Sequence, residues 1–281
     1  MSDKTQVRRA GTGILLRTLV VVCVLIALGC AVYLLHYVLQ TRNESAFCAD
    51  AAQQYIIQPS DLPRDDYTEQ TDTDFCETDI YAELPVTIAE IDFSALQEIS
   101  PNVCAWIRVN GIEQIDYPVV WCGDDSYYLT HGWDGSERSC GAIFLEGECK
   151  SNLSDAYLVI YGHYMRAGTM FGALEQYAEA DFCQQNGGYI TLYLPEETRI
   201  YQIYSARYVS PADESAFCVG FAHDSVFADY IKVQQENSLY DTGVTVSSDD
   251  QVLTLSTCAN SGRNRFVVHA VLKYTVPSQR K

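Results

Sequence analysis

Positive charge is scarce in this 281-residue chain. Eighteen lysines and arginines stand against 37 aspartates and glutamates, a formal net charge of −19 at pH 7. Nucleic-acid binding needs a concentrated basic patch, so that class of partner is excluded. The sequence also lacks a Cys-x-x-Cys pair or any close His/Cys cluster, which excludes a structural zinc site. It contains no internal repeat and no low-complexity tract.

Charge is missing altogether from Thr18 to Leu35, an apolar run that continues weakly past His36 to Leu39. About twenty helical residues, each rising about 1.5 Å, cover a hydrocarbon core of about 30 Å. A cleaved signal peptide has an apolar region of only about 7–15 residues, so this run reads as a retained anchor. The small residues of Ala49-Asp-Ala51 keep a cleavage site open as the alternative. The faint lipoprotein box at Ala27-Leu-Gly-Cys30 is discounted because the apolar run passes straight through it. Lys4, Arg8, Arg9 and Arg17 precede the span and only Arg42 follows it closely. The positive-inside rule therefore places the N-terminus in the cytoplasm and the rest outside the cell membrane. The expected organisation is a cytoplasmic segment 1–17, a transmembrane anchor 18–39, a connector 40–90 and an exported domain 91–281.

The connector is polar and acidic, with nine carboxylates and one arginine between Asp61 and Glu83, and reads as a solvated spacer. Helical spacing over Ser45 to Ile57 precedes turn signals at Pro59 and Pro63. Eleven cysteines remain to be placed. Cys23 and Cys30 lie in the span. Cys48, Cys76, Cys104, Cys122, Cys140, Cys149, Cys183 and Cys218 allow many disulfide pairings, among which sequence does not choose.

Beyond Pro85 the texture changes. A short helix over Asp92 to Ile99 leads into β-branched and aromatic runs broken by turns. Strands are expected near 105–109, 115–121, 141–145, 157–161, 189–194, 199–209, 252–257 and 265–274, with helical insertions near 169–185 and 224–237. Eight strands point to a mainly β fold closed into a barrel, which leaves no exposed sheet edge.

Candidate chemistry gathers at strand ends. Cys258 closes the apolar strand Val252 to Thr257 and precedes a polar turn, so a substrate can reach it. A lone cysteine in a β-rich run is otherwise a small buried hydrophobe. His163 ends the strand Leu158 to Tyr161, whereas His269 sits inside the last strand and reads as a core residue. His131 also lies at an element end, His36 at the membrane edge and His223 at a helix start. Arg265 follows Cys258 by seven residues, with Arg263 as its rival. Thiol, imidazole and guanidinium supply a nucleophile, a proton shuttle and an anion stabiliser.

These segments resemble the class B sortases, cysteine transpeptidases of Gram-positive cell walls, from about Phe93 to Leu272. The resemblance is carried by Trp106-Ile-Arg-Val, Ile115-Asp-Tyr-Pro-Val-Val120, Tyr127-Tyr-Leu129, Gly141-Ala-Ile-Phe-Leu145, Tyr161-Gly-His-Tyr-Met165, Thr169-Met-Phe-Gly172, Thr254-Leu-Ser-Thr-Cys258 and Arg265-Phe-Val-Val-His269. It implies an eight-stranded sortase barrel with N-terminal helices and a helix between strands six and seven. It also implies catalysis by Cys258, His163 and Arg265, with Ser256 and Thr257 beside the substrate and no metal or organic cofactor. The implied substrates are exported proteins carrying an Asn-Pro-x-Thr-like sorting signal, cleaved after threonine. The acceptor would be a peptidoglycan-precursor amine or a pilin subunit. The connector has no Asp-Pro dipeptide, so the lid motif of pilin-polymerising class C enzymes is absent.

Two other readings stand beside this one. An L,D-transpeptidase expects glycine directly before the cysteine, where Thr257 stands, and papain-like wall hydrolases place the cysteine before the histidine. A non-catalytic sortase-like module that binds the wall would not need all three chemical residues.

Overall fold

The computed structural model describes residues 3–57, 83–210, 213–258 and 264–278. The turn signals at Pro59 and Pro63, nearly all of the acidic run from Asp61, and Arg263 lie outside them. The chain divides into two compact units, Met1–Ala46 and Phe47–Lys281.

The first unit is helical. Helix α1 runs from Asp3 to Tyr55 and contains the 22-residue segment Leu19–Gln40, long and apolar enough by composition to cross a membrane. The last turns of α1, from Phe47, belong to the second unit. There Ala51 and Tyr55 are buried with Ile91, Phe93 and Leu96. Helical spacing was expected here, over Ser45 to Ile57 of the connector, and Phe47, Ala51 and Tyr55 recur every four residues as one apolar stripe on that helix. A two-stranded sheet follows, in which β1 (Ile56–Ile57) pairs antiparallel with β2 (Glu90–Ile91). Helix α2 (Phe93–Ile99) is capped by Asp92, whose carboxylate accepts from the Ala95 amide at 3.1 Å.

The rest of the second unit is a closed barrel. Its strands are β3 (Val103–Val109), β4 (Ile112–Val120), β5 (Ile143–Leu145), β6 (Tyr157–His163), β7 (Tyr189–Tyr193), β8 (Glu197–Val209), β9 (Val252–Cys258) and β10 (Arg265–Pro277). In spatial order the barrel reads β10-β8-β7-β3-β4-β5-β6-β9 and back to β10. Each strand lies within three residues of its expected bounds. The expected insertion at 169–185 resolves into a 3-10 turn over Gly172–Ala178 and the short helix α3 (Ala180–Asn186). Helix α4 (Asp224–Glu236) lies between the sixth and seventh barrel strands, β8 and β9.

Alternation along the strands separates two apolar layers. Leu158, Ile160, Leu253, Leu255, Phe266, Val268 and Ala270 fill the barrel. Tyr157, Val159, Val252 and Val271 face outward and are covered by Phe227, Tyr230 and Ile231 of α4. The spacing of those three helix residues is that of a single helical face. Cys104, Cys122, Cys149 and Cys183 are free thiols.

Candidate active site

Pairing in the barrel brings the three chemical positions into one row. Strand β9 lies between β6, to which it is parallel, and β10, to which it is antiparallel. The β6–β9 register ends with His163 opposite Cys258. On the other side Val267 pairs with Ser256, and the same register extended by two residues sets Arg265 opposite Cys258. Neighbouring strands lie about 4.8 Å apart, so the row His163, Cys258, Arg265 spans only two such steps. Parallel pairing explains why two residues that each end a strand become neighbours. Alternation places all three positions on the outward face shared by Tyr157, Val159, Val252 and Val271.

The imidazole of His163 is held by the backbone. Its Nε2 lies 2.7 Å from the Leu129 carbonyl oxygen, and its Nδ1 is buried with no hydrogen-bond partner among the described residues. Nε2 therefore carries the proton in this arrangement, which leaves Nδ1 free to exchange one. Gly141 makes the close approach feasible. A Cβ there would sit 3.0 Å from both the His163 ring and the Leu129 carbonyl, and 2.4 Å from the Tyr128 carbonyl.

Arg265 is half-buried, with its guanidinium carbon 4.9 Å from the centre of the Phe217 ring. Its Nε is a buried donor without a partner among the described residues. The Phe217 ring in turn meets Tyr161 at 6.3 Å, and the Tyr161 hydroxyl donates to Glu146 at 2.6 Å. Burial, reinforced by a hydrogen bond with Asp125 and by that residue's charge, pushes the Glu146 carboxyl up to about 7. Burial and then Glu146 raise Tyr161 as well.

Ser256 and Thr257 are both buried. Ser256 shares the face of position 258, whereas Thr257 faces into the barrel. The Thr257 hydroxyl accepts from the Phe266 amide at 2.8 Å and bonds the Phe266 carbonyl at 3.3 Å, so it fixes β10 beside Arg265.

Two other histidines have partners elsewhere. His269 is fully buried, with Nδ1 2.8 Å from the Thr254 hydroxyl, and burial followed by the nearby Arg207 charge lowers its pKa to about 3. His131 stacks on Tyr127 at 4.1 Å. Among the described residues no cluster of three His, Cys, Asp or Glu side chains is arranged to hold a metal ion.

Sequence reasoning missed the Leu129 carbonyl, because a backbone acceptor carries no residue signature. It also gave no role to Gly141 or Glu146, although both stand in or beside the motif Gly141-Ala-Ile-Phe-Leu145.

Residues 107–273, more than half of the chain, match the Sortase domain family. Sortase B of Listeria monocytogenes is 30% identical over 165 residues, which cover 58% of this chain and 65% of that relative, just under two thirds of its length. The structure of Clostridium perfringens sortase B aligns with a TM-score of 0.61 at 32% identity, covering 65% of this chain and 100% of its own. A Staphylococcus aureus sortase B–substrate complex gives the same TM-score of 0.61 at 24% identity, covering 64% of this chain and 84% of its own, a likeness of fold. With this eight-stranded ring, this domain match and these class B relatives, the chain belongs to the sortase family and, within it, to the class B sortases.

Proposed function

We propose that this chain is a cysteine transpeptidase that joins exported proteins to the cell wall, and that Cys258, His163 and Arg265 perform the chemistry. The observation that carries this reading is the row across β6, β9 and β10, in which Cys258 pairs with His163 and the β9–β10 register, continued two residues past Val267–Ser256, sets Arg265 on its other side. The Cys258 thiolate attacks the threonine carbonyl of a C-terminal sorting signal. Arg265 stabilises the developing oxyanion through donors that its place over Phe217 leaves available. As the carbon–nitrogen bond breaks, His163, entering this step protonated on both nitrogens, gives its Nδ1 proton to the departing amine, leaving a thioester on Cys258. An incoming amine then attacks the thioester and returns a proton to His163, restoring the thiolate and forming a new amide.

The signal is of the Asn-Pro-x-Thr type, and the acceptor is a peptidoglycan-precursor amine or a pilin subunit. Ser256 lines the cleft beside Cys258, and Thr257 supports it from behind. Residues 18–39 anchor the chain in the cell membrane with residues 1–17 cytoplasmic, 40–90 connecting, and the catalytic domain 91–281 on the wall side. The C. perfringens and L. monocytogenes likenesses support the class B assignment of the substrate.

The test incubates the full chain in detergent micelles with fluorogenic Asn-Pro-x-Thr-x and Leu-Pro-x-Thr-x peptides, followed by intact-mass spectrometry. Cleavage after threonine, an acyl adduct on Cys258, and loss of turnover in Cys258→Ala, His163→Ala and Arg265→Ala are expected. A Cys258→Ala protein that still forms the thioester would sink the mechanism.

A further inference from the structure

The last turns of α1 pack against the loop that carries the histidine's partner. Trp133 lies buried in that loop, with Phe47 stacked on it at 6.3 Å and Tyr55 edge-on at 5.6 Å. Arg138, on the returning limb, holds its guanidinium carbon 3.7 Å from the centre of the Phe47 ring. Gly132 is pressed so close that a Cβ there would lie 3.2 Å from the same ring. The stem is itself fixed, since the Asp92 amide donates to the Tyr55 carbonyl at 2.9 Å and Ile56 pairs with Ile91.

From Trp133 the packing leads directly to the site. The same apolar cluster includes Tyr128, Ala142 and Phe144, with Leu129 and Tyr161 packed against it. The loop is closed by Ala142 donating to the Tyr128 carbonyl at 2.9 Å and Arg138 donating to the Thr130 carbonyl at 2.8 Å. Leu129 lies between those two ties, and its carbonyl accepts the hydrogen bond from His163 Nε2. An aromatic wedge of this size buries about 150–250 Å² per ring, so removing its cover releases the loop more readily than the strands beneath it.

We propose that residues Phe47–Tyr55 are a positioning element of the catalytic site, holding the loop from Tyr127 to Ala142 so that the Leu129 carbonyl keeps the His163 ring in its working orientation. Phe47, Tyr55 and Trp133 touch no reacting atom and act through Leu129. The inference rests on the reading of His163 as the proton shuttle for Cys258.

The test uses the full chain in detergent micelles and needs no substrate. The rate at which iodoacetamide alkylates Cys258 is followed against pH by mass spectrometry of the Cys258 peptide, for wild type, His163→Ala, Phe47→Leu, Tyr55→Leu and the restoring variant Phe47→Tyr. Ile200→Ala, a buried position outside the cluster, serves as a control for stability loss alone. Loss of a well-oriented imidazole raises the thiol pKa, so Phe47→Leu and Tyr55→Leu should alkylate roughly three- to tenfold more slowly at neutral pH. Their profiles should shift toward that of His163→Ala, while Phe47→Tyr and Ile200→Ala follow wild type. If His163→Ala differs from wild type but both leucine variants match wild type, the positioning role is overturned and the site stands. If His163→Ala itself matches wild type, the reading of the site falls, and this inference with it.

Discussion

The ring of Phe171 occupies the space that a side chain on Gly162 would need. A Cβ at Gly162 would meet the ring carbons at 2.8 Å, and the Phe171 amide donates to the His163 carbonyl at 3.1 Å. Two sequence motifs, Tyr161-Gly-His163 and Met170-Phe-Gly172, are thus a single packing unit behind the histidine. Gly162→Ala should therefore cost about 1–3 kcal/mol by overpacking. It should also lower turnover more than a core substitution of equal cost, because the displaced ring pulls on the backbone of His163. Thermal melts paired with turnover of a sorting peptide check this, and a variant with lowered Tm and normal turnover would contradict it.

Thr257 offers a second probe, one strand away. Replacing it with valine keeps the shape but leaves the Phe266 amide without its hydroxyl acceptor. An unsatisfied buried amide costs about 1–3 kcal/mol. Thr257→Ser retains the oxygen and should stay close to wild type. Because Phe266 follows Arg265 directly, Thr257→Val should also weaken turnover, whereas a substrate-contact role alone would raise KM without changing denaturant stability. Urea unfolding together with the KM and kcat of both variants separates the two.

A buried histidine should make stability fall with acidification. His269 has a folded-state pKa near 3 against 6.5 unfolded, from burial first and Arg207 second. Below about 6.5 the unfolded chain takes up a proton that the folded one refuses. This contribution is therefore complete above 6.5 and is lost as pH falls toward 3, at up to about 1.4 kcal/mol per pH unit. His269→Gln, which cannot titrate, should gain stability relative to wild type as the pH is lowered from 6.5 to 4. Urea midpoints across that window decide it, and parallel curves for variant and wild type would refute the assignment.

The barrel was legible in the sequence because its signals are local. Runs such as Val252 to Thr257 and Tyr157 to Tyr161 are short β-branched and aromatic stretches bounded by turns, and each became a strand within a residue or two of its expected limits. Cys258 and His163 could be seen to end strands, but their adjacency depends on β6 and β9 pairing in parallel across a long separation, which no local pattern encodes. The stem was legible only in part. Its helical spacing over Ser45 to Ile57 could be read, but Phe47, Ala51 and Tyr55 stand among polar residues, and that setting concealed the burial of their stripe against the domain. Leu129 acts through its carbonyl, which every residue type would supply.

Glu146 should tilt stability the opposite way from His269. Burial, with Asp125 and then Glu148 adding their charges, lifts its carboxyl from 4.5 to about 7. Between those values the unfolded chain releases a proton that the folded one keeps, so this contribution is complete below 4.5 and is lost as pH rises through 7. The two windows overlap from about 4.5 to 6.5, where the slopes of His269 and Glu146 oppose each other and flatten the wild-type curve. Glu146→Gln removes one slope while leaving an oxygen to accept the Tyr161 hydroxyl now bound at 2.6 Å. Its stability should climb through the overlap where wild type is level, and it should exceed wild type at pH 8. Thermal melts at pH 4.5, 6.5 and 8 provide the check. A variant whose melting temperature tracks wild type at all three would mean that Glu146 stays ionised in its pocket, with the Tyr161 hydrogen bond alone holding it there.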